Sequence, residues 1–415
     1  RGAFSHIVLR SVLDKYQYLS KQDRAFMTRL VDGTIEYMLQ LDYIIDSFSK
    51  TKVRKMKPFI RNLLRMSVYQ IKYMDAVPDS AVCNEAVKLA KRHKFAQLSG
   101  FVNGVLRNIA RNIDSVQFDT LSIQYSMPQW IVDRFVAAYG EKKAEEIFKA
   151  FHSKSTISIR TNLTRCTPDE LRVMLEAEGV TVTAVDELNY AFVISGFDYL
   201  NGLQSFRDGL FYVQDISSML VAQTAAPKKG DYVIDVCAAP GGKSTHIAEL
   251  LQGSGHVLAR DLTDNKVDMI EENIERHGLN NMSAEVWDAT VFDADSAGKA
   301  DILICDLPCS GLGVLGRKKD IRYKMTPESV DELAALQRQI LDTVHTYVKP
   351  NGVLVYSTCT IDEAENEDNV RWFIEKHPEF ELDKSFAEGT GMKQILPGEH
   401  GSDGFFIARF IKSKL

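Results

Sequence analysis

The chain has 415 residues, 45% apolar and 26% charged, with a formal net charge of −6; this is an ordinary globular composition with room for two or three domains. No apolar run approaches the ~18 residues of a bilayer span, so no membrane segment is expected. The six cysteines, Cys83, Cys166, Cys237, Cys305, Cys309 and Cys359, contain no Cys-x-x-Cys pair; this argues against a zinc site and a disulfide framework, and for a reducing, cytoplasmic compartment without a metal. The opening Arg1-Gly2-Ala3-Phe4-Ser5 carries no signal-peptide core, and without an initiator Met it reads as trimmed or incomplete.

The net charge hides an asymmetry. Residues 1–125 hold 20 Lys+Arg and 11 Asp+Glu, a net +9, while the remainder holds 30 and 45, a net −15. A basic segment joined to an acidic body suggests that the first part meets a polyanion. Residues 1–125 are expected to be helical throughout, with periodic apolar positions such as Phe26, Leu30, Ile35, Met38 and Leu39. Between Ser47 and Met74 there is no acidic residue, but Lys50, Lys52, Arg54, Lys55, Lys57, Arg61, Arg65 and Lys72 are present. A second group follows at Lys88, Lys91, Arg92 and Lys94. Such density suits phosphate contacts, although a solvated helical face would look similar.

After Met127-Pro128 the pattern changes. Trp130 to Phe151 reads as amphipathic helix, and Ile157 to Asn162 alternates like a strand. Thr167-Pro168-Asp169-Glu170 opens a helix that Gly179 ends. Tyr190–Ile194 and Leu210–Val213 supply further strands of a small α+β unit. Arg160 and Asn162 are open to either a structural or an RNA-facing role.

From about Gly209 strands and helices alternate. Val233 to Val236 reads as a buried strand, Cys237-Ala238-Ala239-Pro240-Gly241-Gly242 as a small-residue turn, and a helix follows from near Lys243. Such a unit presents backbone N–H groups to a ligand at the carboxyl edge of a sheet. A phosphate loop would need glycine where Cys237 stands, and a plain tight turn remains open. The third reading is a class I methyltransferase turn, whose glycines admit S-adenosylmethionine. About twenty residues on, the strand His256–Arg260 ends at Asp261, where a ribose diol would be bound; a helix N-cap is the plainer role. The strand Met282–Val286 precedes Asp288, which could stand beside adenine. Asp301–Cys305 runs into Asp306-Leu307-Pro308-Cys309-Ser310-Gly311, and Val353–Tyr356 into Ser357-Thr358-Cys359-Thr360. Four strand ends thus bring polar or thiol groups to one edge of a parallel sheet.

Two thiols and a carboxylate suit a specific chemistry. Carbon 5 of a pyrimidine is a poor nucleophile until a thiolate adds to carbon 6. An acid must then stabilise charge at N3; Asp306 is of the right type, and burial could favour its neutral form. Of Cys309 and Cys359, one can attack while the other assists release, and chemistry alone does not say which. Methylation of an exocyclic amine would favour two prolines and an aromatic residue after the acid; here the third position is Pro308 and the fourth a thiol.

These motifs resemble those of the Sun/Fmu family of RNA cytosine-5 methyltransferases: Asp235-Val236-Cys237-Ala238-Ala239-Pro240-Gly241-Gly242-Lys243-Ser244, Asp306 to Gly311, Tyr356 to Thr360, Glu365-Asn366-Glu367 and Asp403 to Ala408. The start, with Asp23-Arg24-Ala25-Phe26 and Phe101 to Arg107, resembles a NusB-like RNA-binding domain. The resemblance implies a multidomain protein: an all-α NusB-like domain at 1–125, a small α+β RNA-recognition domain at 126–208, and an α/β Rossmann-like class I methyltransferase domain at 209–415. It implies S-adenosylmethionine as cofactor, held by Cys237, Ala238, Ala239, Pro240, Gly241, Gly242, Lys243, Asp261, Asp288 and Asp306. It also implies Cys359 as nucleophile and Cys309 as release thiol, with small-subunit ribosomal RNA as partner of a monomer. The residue before Asp261 is Arg260 rather than the family's usual small residue. Arg317, Lys318, Lys319, Arg322 and Lys324 are expected to face the RNA backbone, though a solvated loop would carry the same charges. Two other functions stay open: a transfer-RNA enzyme of the same chemistry, and a non-catalytic RNA-binding assembly factor.

Overall fold

A computed structural model describes residues 4–16, 18–153 and 156–414. It divides into two compact units, the first running through His152 and including Leu315–Lys324, the second comprising Ser153–Val314 and the chain from Met325.

The first unit is helical. Its helices include Lys21–Glu36, Met38–Phe48, Pro58–Tyr73, Asp79–Arg92 and Ser99–Asn112. Ser20 caps the first of these by accepting from Asp23 N, and Pro58 stands in the first turn of Pro58–Tyr73, where no amide is required. Leu41, Ile44, Leu64, Val68, Val102, Leu106 and Ile109 are fully buried, each contributing roughly 1.5–3 kcal/mol. Phe26 departs from the expected core and is exposed. Gly140, at φ +76°, divides the expected helix Trp130–Phe151 into Gln129–Tyr139 and Glu141–Phe151, because only glycine enters that region without strain. Both halves belong to the first unit rather than to the α+β unit that follows. Lys50, Lys52, Arg54, Lys55 and Lys57 are exposed, as are Lys91, Arg92 and Lys94. Arg65 is paired with Asp42, and Lys72 lies over the Phe118 ring.

The second unit holds two sheets. The strands β1 (Ile157–Thr161), β2 (Thr181–Val185), β3 (Leu188–Ser195) and β4 (Phe211–Val213) form an antiparallel sheet in the order β2-β3-β1-β4. The exposed edge strand β2 was not expected; it is only five residues long and none of them is fully buried, which leaves little signal. The larger sheet comprises β5 (Tyr232–Asp235), β6 (His256–Asp261), β7 (Met282–Val286), β8 (Ala300–Asp306), β9 (Val348–Thr358), β10 (Phe380–Leu382), β11 (Met392–Ile395) and β12 (Phe405–Lys412). Its order is β10-β12-β9-β8-β5-β6-β7, with β11 beside β12. The five strands β5 to β9 are parallel, and β12 runs antiparallel to β9. Alternate residues enter opposite cores: Ile234, Leu303, Leu354 and Tyr356 on one face, Val233, Ile302, Ile304 and Val355 on the other. Strand order reverses between β5 and β8, so the crevice at their carboxyl ends is the expected ligand position of an open α/β sheet. Among the described residues no helix is long and apolar enough to cross a membrane.

Candidate active site

The turn after β5 is tied to the end of β6. Ala238 N donates to Arg260 O at 2.8 Å, and Ala239 N donates to Asp261 Oδ2 at 2.9 Å. Gly241 adopts φ +103° as the residue preceding the helix Gly242–Leu250. A Cβ on Gly242 would stand 3.0 Å from Tyr212 Cε1. Backbone conformation explains the first glycine and close packing the second. The first amides of the helix lack intrahelical partners and are available at the crevice.

Lys243 decides between two readings of this turn. Its Nζ donates to Asp306 Oδ2 at 2.6 Å. Burial opposes its charge, but Asp306, Asp235 and Cys359 outweigh burial and raise its pKa. A lysine committed to a protein carboxylate is not poised for phosphate, so the turn is not built as a phosphate loop. Asp306 also accepts from Ser357 Oγ at 2.7 Å. The burial expected around Asp306 is incomplete: 26% of its side chain is exposed. Asp235, fully buried beneath the turn, has its pKa pushed up to about 7 by desolvation, against a bond from Ser244 Oγ.

Asp261 is 3% exposed. Its Oδ1 accepts from Leu262 N at 2.7 Å and from Lys266 Nζ at 2.8 Å. It is not a helix N-cap, since Thr263 holds that position. Oδ2 accepts from Ala239 N and retains a lone pair for a hydroxyl donor. Asp288 is exposed on the loop after β7, with Oδ1 accepting from Thr290 N at 2.9 Å and Thr290 Oγ1 at 2.7 Å.

The thiols meet because of strand register. Parallel pairing sets Asp306 opposite Ser357, so both chains leave the sheet side by side. Leu307 N donates to Ser357 O and Gly313 N to Cys359 O, each at 3.1 Å. These two bonds straddle Cys309 and hold its loop against the end of β9. Gly313 is required there, since its Cβ would lie 2.4 Å from Gly404 O and 2.8 Å from Cys359 O. The result is a Cys309 Sγ to Cys359 Sγ separation of 3.3 Å. Cys309 has its pKa pushed far up, first by sharing a proton with Cys359 and then by burial, with Glu365 adding to it. Lys243 instead couples electrostatically to Cys359, and a nearby cation favours a thiolate. Cys237 is raised by burial and by Asp261, as an unreactive thiol would be. Cys83, Cys166 and Cys305 are buried.

A polar network lies under the two thiol turns. Glu365 Oε1 accepts from Ser310 N at 2.9 Å and Gln337 Nε2 at 3.0 Å, and Ser310 Oγ donates to Oε2. Gln337 Nε2 also donates to Pro308 O at 2.9 Å. Asn369 Nδ2 donates to Gln337 Oε1 at 2.7 Å, and Asn366 joins Thr358 to Gln394. Burial raises the pKa of Glu365 despite these bonds. The sequence motif flags Glu365 and Asn366, whereas Gln337 and Asn369 carry no local signal inside amphipathic helices.

Other expected residues fall elsewhere. Arg160 and Asn162 are fully buried. Arg160 pairs with Glu249 and donates to Gln214 Oε1 at 2.9 Å; Asn162 Nδ2 donates to Gly209 O at 2.9 Å. Both are structural. The basic segment is not a uniform solvent face either. Arg322 is fully buried in the first unit, and its guanidinium donates to Leu315 O at 3.0 Å, so the expectation of an RNA contact there is corrected: the charge is enclosed. Lys319 pairs with Glu36 at 2.6 Å and Lys324 with Asp320 at 3.0 Å. Lys318 is exposed and Arg317 half-buried.

Three family models match the chain. Residues 222–411 match "16S rRNA methyltransferase RsmB/F", residues 1–111 the NusB family, and residues 127–197 an RsmF/B-like ferredoxin-like domain. The chain is 38% identical over 428 residues to a probable ribosomal RNA small subunit methyltransferase B of Bacillus subtilis, covering 99% of this chain and 95% of that one. It is 32% identical to a probable ribosomal RNA small subunit methyltransferase B of Synechocystis, covering 100% and 96%. Among solved structures, PH0851 is similar with a TM-score of 0.83 at 26% identity, covering 98% of this chain and 93% of that one. NSun6 from Pyrococcus horikoshii gives a TM-score of 0.63 at 25% identity, covering 69% and 99%.

Proposed function

Since the chain belongs to the family of ribosomal RNA small subunit methyltransferase B, we propose that it methylates carbon 5 of a cytosine in small-subunit ribosomal RNA through a covalent cysteine–cytosine adduct. The observation that carries this reading is the 3.3 Å approach of Cys309 and Cys359 beside the Lys243–Asp306 pair. S-adenosylmethionine, when bound, supplies an electrophilic methyl group. The chain's residues fit it: glycines that exclude side chains from the turn, unpaired first-turn amides, and a buried Asp261 oxygen with a lone pair to spare. Residues Cys237 to Lys243, Asp261, Asp288 and Asp306 would hold it.

The surroundings of the thiols support one assignment of their roles. Cys359, coupled to the Lys243 ammonium, adds as thiolate to carbon 6, making carbon 5 nucleophilic. Asp306 is assigned to the N3 side of the ring, passing to N3 a proton from the Lys243 ammonium as the thiolate adds and returning it when the ring is released. Once carbon 5 is methylated, Cys309, having released its own proton to solvent, takes the proton from carbon 5 as a thiolate; that electron pair restores the ring double bond and expels Cys359 as thiolate. The target base must leave its stack to reach sulfur at a sheet edge.

The test uses small-subunit RNA and labelled cofactor. Wild type is expected to transfer label to cytosine carbon 5, whereas Cys309→Ser should accumulate a protein–RNA adduct stable to denaturing gels. An adduct with Cys359→Ser in its place would reverse the thiol roles; label on another atom would end the proposal.

A further inference from the structure

We propose that the cluster Asp342, His345 and His377, with Glu379 at its rim, is a binding site for one divalent transition-metal ion of the zinc class. It lies apart in sequence from every motif used above. One ligand atom from each of Asp342, His345 and His377 lies within 4.8 Å of the others. His377 Nε2 is 3.2 Å from Asp342 Oδ1, and His345 Nε2 is 3.6 Å from Glu379 Oε1. Around a tetrahedral ion with bonds of about 2.0–2.1 Å, neighbouring donors stand about 3.3 Å apart. The cluster therefore needs only small side-chain adjustments to close on an ion.

Two independent features point to a cation. His377 is 6% exposed, and its Nε2, aimed at Asp342, is buried without a hydrogen bond. A buried polar atom that makes no hydrogen bond, even with a carboxylate oxygen 3.2 Å away, is costly, and a shared ion would satisfy both it and the carboxylate. His345 Nδ1 lies 2.8 Å from Asp342 O; a carbonyl can only accept, so Nδ1 carries the proton and Nε2 presents its lone pair. Fixing the tautomer through the other ring nitrogen is what metal-ligating histidines require. The ring centroids of His345 and His377 are 3.9 Å apart, so the two imidazoles pack against each other and would turn slightly apart to share an ion.

The backbone favours positive charge at the same place. His345 is the C-cap of the helix Pro327–Val344, and His377 that of Glu367–Lys376. Two helix carboxyl ends, each with partial negative charge, thus converge on the cluster. Lys376 answers part of that charge by pairing with Asp342 Oδ2 at 2.8 Å, which leaves Oδ1 turned to the imidazoles. Two imidazoles and carboxylate oxygens select zinc-like ions over magnesium or calcium, which prefer oxygen alone. An ion here would pin the two helices to each other and to the turn before β10, beside Phe373 and Phe380.

The experiment titrates Co2+ into the full chain and follows its visible absorption. One equivalent should give the bands of a four-coordinate nitrogen–oxygen site, without a sulfur-to-cobalt band, and Zn2+ should displace it. His377→Gln and His345→Gln should each weaken binding at least tenfold. In parallel, Zn2+ but not Mg2+ should raise the melting temperature of wild type, a reading independent of whether the variants fold. No saturable binding, binding indifferent to both substitutions, or a sulfur band that disappears in Cys309→Ser with Cys359→Ser would overturn the assignment.

Discussion

Two buried polar networks in the second unit do different work. The network under the thiols is made of amides, hydroxyls and one carboxyl: Glu365, Gln337, Asn369, Asn366 and Ser310. The network between β1 and the helix Gly242–Leu250 is ionic, with Arg160 held by Glu249, Gln214 and Thr245. The first surrounds half-exposed sulfurs and sets where loops lie; the second is sealed from solvent and joins the small sheet to the large one. An enclosed ion pair is costly to break and contributes little over an apolar replacement. A fully satisfied web of hydrogen bonds, by contrast, fixes position. Position is what the proposed two-thiol mechanism needs.

Substitutions can separate the two. Cys359→Ser should have the largest effect, reducing methyl transfer to background in a tritium-transfer assay while urea midpoints stay near wild type. Activity retained in that variant would remove the reason for the network beneath it. Glu249→Gln comes next, because it strands the Arg160 charge; urea denaturation should register a loss of about 3–5 kcal/mol. Replacing both partners, Arg160→Met with Glu249→Leu, should restore most of it. If the double variant is no better, the pair is more than an anchor.

Glu365→Gln should be milder and of another kind. It trades an acceptor facing Ser310 N–H for an ambivalent amide, a loss of about 1–3 kcal/mol. Stopped single turnovers should show slow release of the adduct, with global stability changed less than turnover. A further prediction concerns pH. Asp235 keeps its proton to about 7 in the folded chain but loses it near 3.8 when unfolded. Stability contributed by the neutral form is therefore greatest below about 4 and declines as pH rises to about 7. Urea midpoints for wild type should fall between pH 5 and 8 more than for Asp235→Asn, and parallel curves would show that Asp235 does not titrate there.

Much of the architecture was legible in residue order. Apolar runs ending in Asp235, Asp261, Asp306 and Thr358 announced a parallel sheet, and Thr167 with Glu170 announced a capped helix that the structure contains. Short-range chemistry is local, and local patterns survive in a one-dimensional string. Gly140 was legible too but was passed over, because the residues on either side share one helical period. The basic run at Arg317 to Lys324 misled for a related reason: composition counts charges, and only packing says that Arg322 is enclosed while Lys318 is exposed.

By itself, the order of amino acids determined which turns carry glycine, which strand ends carry thiols, and hence the family. It could not determine that the two sulfurs stand 3.3 Å apart, that Lys243 is taken by Asp306, or that Gln337 reaches beneath both turns. Those distances depend on parallel register between β8 and β9 and on backbone approach at Gly313, contacts between segments some fifty to ninety residues apart. A side chain's chemistry is set by its neighbours in space, and only the folded chain supplies them.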